Sequence, residues 1–375
     1  MRILFTGGGT GGHIYPALTL AEGLQEMDDN NSLLFVGTAR GLERELVPRA
    51  GFPLRTITVS GLERRLSWRT FLTFARLGKG LWQAYRILRE FRPQVVVGTG
   101  GYVCVPVVFV AACLGIPTLI HEQNVLPGLA NRYLSRYATV VAASYGESRR
   151  YFARARRFVV TGNPVREEIV QLSREEGRAR LGIEEDKRLL LVFGGSRGAR
   201  PINDALLAAL PELLAWPELI TCFITGKEDY EYVCQSLAGG IGGEKQGNII
   251  IKPYLHDMPA GLAAADLVIA RAGATTLAEL TARGVPAILI PSPYVTGNHQ
   301  EHNARLLERE GAALVIRERD LAAGSLAKQV RKLLQDPARL QLMAEKSRSL
   351  GQRQARDLLL SLIYELAGEG HQSLL

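Results

Sequence analysis

The residues best suited to chemistry form the segment Arg271-Ala-Gly-Ala-Thr-Thr-Leu-Ala-Glu279, which follows an apolar run at 266–270. The pattern predicts a buried strand, a sharp turn at Gly273 and a helix that begins with residues 274–276. The free N–H groups and the positive end of such a helix bind anions. One turn further along, Glu279 is placed to accept hydrogen bonds from a diol such as ribose. The alternative is that the threonines only cap the helix and that Glu279 is a solvated acid.

A second candidate site lies at the start of the chain, where strand 3–6 runs into Gly7-Gly-Gly-Thr-Gly-Gly-His13. A helix is expected to follow over residues 16–25. The spacing formally satisfies the dinucleotide pattern G-x-G-x-x-G, but no acid follows the next strand, at 37–39. The loop is therefore predicted to cradle phosphate rather than NAD. We favour contact between His13 and substrate, although a lone histidine is usually structural.

Two further segments follow buried strands in the same half. Gly98-Thr-Gly-Gly-Tyr102 follows strand 95–97, and His121-Glu-Gln-Asn124 follows strand 118–120. Open α/β sheets bind ligands at the carboxyl ends of their strands, so Glu122, Gln123 and Asn124 become candidate sugar contacts. The second half repeats the plan of strand, glycine-rich loop and helix from residue 189. The fold class is therefore α/β, and Thr161–Arg166 is the expected hinge between the halves.

Composition limits the class of protein. With 375 residues and 47% hydrophobic content, the chain is long enough for two domains with full cores. Its four cysteines show no C-x-x-C spacing, which favours free thiols in a reducing compartment. Residues 1–165 hold 20 basic and 10 acidic side chains, and the rest holds 25 and 27. This imbalance predicts an anionic partner for the first half: a membrane surface, a nucleic acid or a phosphorylated substrate.

Residues 61–92 combine eight basic side chains with two acids and several aromatic residues. Such a mixture suits contact with anionic lipid, and the alternative is an amphipathic helix that covers the sheet. We expect the second for 81–91 and membrane contact before it, through Leu66, Trp68, Arg69, Phe71, Leu72 and Phe74. The uncharged stretch 95–120 is long enough to span a membrane. Its glycines and prolines predict strand, helix and strand instead.

Together these motifs resemble the MurG family, within glycosyltransferase family 28. The family adds N-acetylglucosamine to undecaprenyl-diphospho-N-acetylmuramoyl-pentapeptide in bacterial cell-wall synthesis. The resemblance rests on Gly7–His13, Gly98–Tyr102, His121–Asn124, Gly162–Arg166, Gly194–Ala199, Arg271–Glu279 and Gln300–Asn303. It implies a GT-B fold, with two Rossmann-like doubly wound domains and a cleft between them. The implied domains are 1–163 for acceptor and membrane, 164–340 for UDP-N-acetylglucosamine (UDP-GlcNAc), and helices at 341–375 that return to the first.

The resemblance also implies roles for individual residues. The implied donor contacts are Thr10, Gly11, Gly12, Asn124, Arg166, Ser196, Leu255, Arg271, Ala274, Thr275, Thr276, Leu277, Ala278, Glu279 and Gln300. Glu279 would hold the ribose, and Leu255, where the family has isoleucine, would meet uracil through its backbone. The implied acceptor diphosphate site is Gly9, Gly100, Gly101 and Tyr102. The loop 294–298 matches the family less well, which leaves sugar contacts there undefined.

The expected chemistry is a single displacement that inverts the anomeric carbon. The chain contains no Asp-x-Asp, and the helix N-terminus at 274–277 with the Ser196 loop is expected to stabilise the leaving diphosphate without a metal or other cofactor. His13 is the first candidate for the general base and Glu122 the second.

The expected setting is the cytoplasmic face of the bacterial inner membrane, as a peripheral protein. Its expected partners are the donor, the lipid-linked acceptor, anionic lipid and other cell-wall synthesis proteins. The alternatives are a UDP-GlcNAc 2-epimerase and a nucleic-acid-binding protein. The second lacks an aromatic RNA-binding signature or a recognition helix.

Overall fold

A computed structural model describes residues 1–60, 68–195, 198–237, 245–321 and 324–372. The chain divides into two compact units. The first unit comprises Met1–Pro164 together with Arg353–Leu375, and the second comprises Val165–Gln352.

The first unit is built on a parallel sheet of seven strands. The strands are β1 Arg2–Gly7, β2 Ser32–Gly37, β3 Leu54–Thr56, β4 Val95–Gly100, β5 Thr118–Glu122, β6 Val140–Ala143 and β7 Phe158–Val160. Its helices are α1 Gly11–Met27, α2 Glu43–Arg49, α3 Trp68–Phe91, α4 Cys104–Cys113, α5 Leu129–Leu134 and, from the end of the chain, α15 Ala355–Gln372, with a 3-10 helix at Gly146–Tyr151. The strand order β3-β2-β1-β4-β5-β6-β7 is that of a doubly wound sheet.

The second unit repeats this arrangement. Its strands are β8 Arg188–Phe193, β9 Leu219–Ile224, β10 Lys245–Gln246, β11 Ile249–Lys252, β12 Leu267–Ala270, β13 Ala287–Leu289 and β14 Ala313–Val315. They lie in the order β10-β11-β9-β8-β12-β13-β14, and all but the two-residue β10 are parallel. Its helices are α6 Glu167–Gln171, α7 Arg174–Leu181, α8 Arg200–Leu214, α9 Tyr230–Leu237, α10 Met258–Ala264, α11 Ala274–Arg283, α12 His299–Arg309, α13 Ser325–Leu334 and α14 Pro337–Leu350, with 3-10 helices at Thr296–Asn298 and Glu318–Asp320.

The central strands β1 and β8 are mostly apolar because helices cover both faces of each sheet. In the first unit, Ile3 and Phe5 of β1 pack with α1 and with Leu359 and Ile363 of α15. Leu4, between them, points to the opposite face and packs with α3 and α4. The expected internal repeat is therefore confirmed, and each unit has a point between two central strands where the chain reverses its winding direction.

Three local expectations differ from the structure. Helix α1 begins at Gly11 rather than near residue 16, so His13 lies in its first turn. Strand β5 continues to Glu122, because His121 and Glu122 pair with β6 instead of starting a loop. Gly273 has φ −69°, which any residue adopts, so no turn there requires glycine.

The predicted C-terminal segment began at residue 341, but α14 belongs to the second unit. The Ser347 hydroxyl on α14 lies 3.4 Å from the Leu280 carbonyl and 3.3 Å from that of Val285, which anchors the helix against α11. The part that joins the first unit begins at Arg353.

The uncharged stretch 95–120 is divided, as expected, into β4, α4 and the start of β5. Across the residues that the structure describes, no helix has the length and apolar character needed to cross a membrane.

Candidate functional site

Two glycine-rich loops lie together at the switch point of the first sheet, after β1 and β4. The Gly8 N–H donates to the Gly100 carbonyl at 3.3 Å. Gly100 and Gly101 have φ of +114° and +86°, and a Cβ on Gly101 would lie 2.5 Å from the Gly8 carbonyl oxygen. Positive φ and this close approach both require glycine, so the two loops form one tightly packed surface.

Glu43 supports this surface from behind and was missed by the sequence analysis. Its side chain is buried, with 1% of its surface exposed, and it accepts from the Thr38 N–H and hydroxyl at 2.9 and 2.7 Å. It also accepts from the Gly9 N–H at 3.1 Å. The dinucleotide pattern places its acid directly after the second strand, whereas Glu43 lies further along the chain, at the start of α2.

The loop contacts narrow the predicted acceptor diphosphate site. The Gly9 N–H is taken by Glu43, and the Gly100 N–H donates to the Cys104 thiol at 3.2 Å. In this structure both N–H groups are therefore occupied by protein acceptors, so any contact of these two glycines with the acceptor stays a prediction. Gly101 and the partly exposed Tyr102, at the N-terminus of α4, remain as predicted.

His13 occupies the first turn of α1, beside the second glycine loop. Its Nδ1 lies 3.1 Å from the Thr99 carbonyl oxygen and 3.2 Å from Oε1 of Gln123. Both neighbours are acceptors, so Nδ1 carries the proton and Nε2 has a free lone pair. Burial lowers the pKa of His13 below 6.5, which keeps the imidazole neutral near pH 7.

Glu122, the second candidate base, is engaged by its own loop. Its carboxylate accepts from the backbone N–H and side-chain amide of Asn124, the Gly128 N–H and the side-chain amide of Asn131, at 2.9–3.1 Å. Burial raises the pKa of Glu122, and these four donors oppose that rise. Its geometry fits a residue that shapes the loop and orients Asn124.

The switch point of the second sheet lies between β8 and β12. The N-terminus of α11 follows β12, and no side chain caps its first turn. The hydroxyl of Thr275 there is buried, and among the described residues it has no hydrogen-bond partner. A buried hydroxyl without a partner is unusual in a folded protein and fits a site that a ligand completes. Ser196, on the neighbouring loop after β8, lies outside the described residues.

Arg271 and Glu279 flank this helix end. The guanidinium of Arg271 lies 2.6 Å from the Glu318 carboxylate and donates to the Ile290 carbonyl at 3.2 Å. These contacts hold the loop between β12 and α11 in place. Glu318 is far from Arg271 in the sequence, so sequence spacing could not reveal this pair. Glu279 lies 4.0 Å from the Arg166 guanidinium, and burial raises the pKa of Glu279 to about 7 although Arg166 opposes the shift.

Two further predicted donor contacts, Gln300 and Leu255, also follow strands of this sheet, whereas Thr10, Gly11, Gly12 and Asn124 belong to the first unit. Oε1 of Gln300 accepts from the Ser292 N–H at 2.8 Å, which orients its amide. The Leu255 side chain is buried in the core, which is compatible with the predicted contact through its backbone. His299 bonds the Thr296 carbonyl at 2.9 Å. In the described parts of the chain, no three His, Cys, Asp or Glu side chains gather as metal ligands.

The structure describes only part of the predicted membrane surface. Leu66 lies outside the described residues, and for Trp68, Arg69, Phe71, Leu72 and Phe74 the structure describes only the backbone, which is helical. Further along α3, Ala84, Ile87 and Leu88 are buried against the sheet, as expected for 81–91. The opposite face, however, exposes Trp82 by 58% and Tyr85 by 45%, and Arg86 stacks on Trp82 at 5.0 Å.

Family models and known proteins agree with this architecture. The glycosyltransferase family 28 N-terminal domain matches residues 3–143, and its C-terminal domain matches 189–359. The UDP-N-acetylglucosamine--N-acetylmuramyl-(pentapeptide) pyrophosphoryl-undecaprenol N-acetylglucosamine transferase of Desulforudis audaxviator is 49% identical over 99% of this chain and 100% of its own. The transferase of the same name from Halalkalibacterium halodurans is 46% identical over 98% and 100%.

Solved structures show the same fold. Acinetobacter baumannii MurG has a TM-score of 0.76 and 28% identity, over 97% of this chain and 99% of its own. A UDP-GlcNAc 2-epimerase from Neisseria meningitidis, solved with UDP-GlcNAc, has a TM-score of 0.66 over 97% and 100% of the chains, but 13% identity, so the likeness concerns the fold alone. On its family models, its full-length relatives and its two doubly wound sheets, the chain belongs to glycosyltransferase family 28 and has the GT-B fold.

Proposed function

We propose that this chain transfers N-acetylglucosamine from UDP-GlcNAc to the 4-hydroxyl of N-acetylmuramic acid in undecaprenyl-diphospho-N-acetylmuramoyl-pentapeptide. The observation that carries this proposal is 46–49% identity, over nearly the whole length, to transferases named for that reaction. The geometry of each unit supports it, because one presents an anion site and the other an unprotonated imidazole nitrogen.

The donor diphosphate is proposed to bind at the N-terminus of α11. The uncapped N–H groups of residues 274–276 and the helix dipole stabilise the charge that develops on the leaving UDP. The buried hydroxyl of Thr275, which has no partner in the described parts of the chain, donates to a phosphate oxygen. Arg271 holds the preceding loop through its contact with Glu318 rather than by direct contact with phosphate.

Glu279 is proposed to accept hydrogen bonds from the ribose hydroxyls. The side chain is 14% exposed and lies one turn beyond the phosphate end of α11, near Arg166. Uracil is proposed to contact the backbone at Leu255, whose side chain is fixed in the core. The oriented amide of Gln300 is proposed to contact the transferred sugar.

His13 is proposed to be the general base. Its Nε2 takes the proton from the acceptor 4-hydroxyl while the hydroxyl oxygen forms a bond to C1 of the sugar and the bond from C1 to UDP breaks. A neutral imidazole with a lowered pKa is ready for this step near pH 7. Gly101 and Tyr102, at the N-terminus of α4, are proposed to bind the acceptor diphosphate.

We propose that α3 contacts anionic lipid at the cytoplasmic face of the inner membrane. The exposed aromatic rings of Trp82 and Tyr85, with Arg86 beside them, extend the surface predicted for residues 66–74 toward the end of the helix. Aromatic rings bind at the lipid headgroup level, and basic side chains are attracted to anionic headgroups.

Replacing Trp82 and Tyr85 together with alanine is expected to weaken binding to vesicles that contain phosphatidylglycerol by about tenfold or more, since roughly 1.4 kcal/mol of lost burial is enough. Cosedimentation measures this affinity. Leu342→Ala removes an exposed apolar side chain from α14 and is the matched control, which should bind vesicles normally. Equal vesicle binding by the unaltered protein, the double alanine variant and Leu342→Ala would contradict the proposed lipid contact.

The reaction itself is tested with UDP-GlcNAc and a short-chain lipid analogue of the acceptor, in the presence of EDTA. We expect UDP and the disaccharide product to appear together. UDP without disaccharide would instead indicate hydrolysis or the epimerase alternative. Activity only after magnesium is restored would contradict stabilisation of the diphosphate by the helix alone.

A further inference from the structure

A buried chain of polar groups lies beneath His13 and plays no part in the chemistry described so far. Oε1 of Gln123 is 3.2 Å from Nδ1 of His13. Nε2 of Gln123 is 2.7 Å from the Thr99 carbonyl oxygen and 3.1 Å from Nδ1 of His121. Nε2 of His121 is 2.9 Å from the Gly162 carbonyl oxygen. Gln123 and His121 are 1% and 0% exposed, so solvent water is excluded from both side chains.

The carbonyl groups at the two ends decide which way the Gln123 amide points. Thr99 and Gly162 present oxygens that can only accept hydrogen bonds. The amide nitrogen of Gln123 must therefore face Thr99, since its oxygen at that distance would meet another oxygen. This orientation turns Oε1 toward His13.

The same logic fixes the proton on each histidine. Nε2 of His121 donates to Gly162, so its Nδ1 is bare and accepts from the Gln123 amide. Nδ1 of His13 faces two oxygens, on Thr99 and Gln123, and must be protonated. The two histidines are therefore opposite tautomers. A neutral imidazole in water prefers its proton on Nε2, the arrangement that would block His13 as a base.

We propose that Gln123, held in orientation by His121, is a positioning residue that fixes the Nδ1–H tautomer of His13 and so keeps Nε2 free to accept the proton of the acceptor hydroxyl. This proposal rests on the role of His13 in the proposed function. Gln123 would supply by a neutral amide what a carboxylate supplies to the base histidine in hydrolytic triads.

The surrounding groups are compatible with uncharged side chains at His13 and His121. Burial lowers the pKa of His121 to about 4, so it is uncharged near neutral pH. Burial raises the pKa of the Cys104 thiol to about 12. Glu43, on α2, acts electrostatically on His13 and favours its protonated form. Glu122, beside Gln123 in sequence, is occupied by its four donors.

The first test reads the tautomer directly, without substrate. The chain has six histidines, so ¹⁵N-histidine labelling gives a small NMR spectrum that His13→Ala and His121→Phe can assign. We expect the shift of a protonated Nδ1 and a bare Nε2 for His13, and the reverse for His121. A His13 with its proton on Nε2 would overturn the proposal, whatever the activity.

The second test removes the amide. Gln123→Met keeps the side-chain length and removes one of the two oxygens that hold the Nδ1 proton, so the Nε2–H tautomer of His13 should become more populated while kcat falls about tenfold to a hundredfold. The Kd for UDP-GlcNAc should not change. Gln25→Met, on the exposed face of α1, is the matched control and should leave tautomer and kcat unaltered. An unchanged tautomer and kcat in Gln123→Met would overturn the proposal.

If the methionine variant does not fold, Gln123→Glu provides a second test of the proposal. It retains an oxygen for the Nδ1 proton and adds negative charge, so the pKa of His13 rises and the acid limb of the kcat profile moves up by about one pH unit. A purely structural role predicts lower kcat with no such shift. The role of His13 as the general base fails separately, if His13→Ala retains turnover while the tautomers of the unaltered protein are as expected.

Discussion

His13→Ala is expected to lower kcat by about 10²- to 10⁴-fold, because it removes the group that accepts the proton of the acceptor hydroxyl. The Kd for UDP-GlcNAc should stay the same, since the donor contacts proposed here lie on the second unit. Steady-state rates with both substrates saturating measure the first effect, and calorimetric titration of the donor measures the second.

The pH dependence of kcat/KM distinguishes His13 from Glu122. In the unaltered protein, kcat/KM should rise with pH through a pKa below 6.5 and then level off, because the base acts when unprotonated and burial lowers its pKa in the free protein. Glu122→Gln should keep this limb even if its loop is disturbed, whereas His13→Ala should lose it. Near-normal turnover of His13→Ala would show that another group is the base.

Glu279→Gln is expected to weaken UDP-GlcNAc binding by about tenfold to a hundredfold, the size of one or two lost hydrogen bonds to a charged acceptor. The same substitution should stabilise the donor-free protein. The folded pKa of Glu279 is about 7 against 4.5 for an unperturbed glutamate, so ionisation opposes folding as pH rises through this window. Above pH 7 the ionisation of Glu279 lowers the free energy of unfolding by roughly 3 kcal/mol.

Thermal denaturation at two pH values checks the second effect. At pH 8 the Tm of Glu279→Gln should exceed that of the unaltered protein, and near pH 4, where both forms are uncharged in the folded state, the difference should disappear. Glu212→Gln, at an exposed position on α8, should change neither Tm nor donor affinity. A lower Tm for Glu279→Gln at pH 8 would contradict burial as the cause of its pKa.

Much of the fold could be predicted because its signals are local in the sequence. Apolar runs of four to six residues, each followed by glycine and a helical pattern, identified most central strands and the N-terminus of α11. Their repetition in the two halves predicted two doubly wound sheets. The start of α1 was misplaced because glycines at 11 and 12 suggest a loop, although their backbone is helical.

The contacts within the candidate site could not be predicted, since they join residues far apart in the chain. Glu43 reaches back to Gly9, and Glu318 reaches Arg271 from another loop. The acids look like ordinary surface residues until the fold brings them to their partners. Likewise, the sequence of α3 contains aromatic residues throughout, and only packing decides that Trp82 is exposed while Ile87 is buried.

The return of α15 to the first sheet makes the second unit an insertion in the first. Residues 165–352 are one uninterrupted stretch of chain, whereas the first unit is assembled from both ends of the polypeptide. During synthesis, the surface of α1 that receives Leu359, Ile363 and Leu366 therefore stays uncovered until α15 has been made. Translation of the unit that carries His13 starts before that of the second unit and is completed after it.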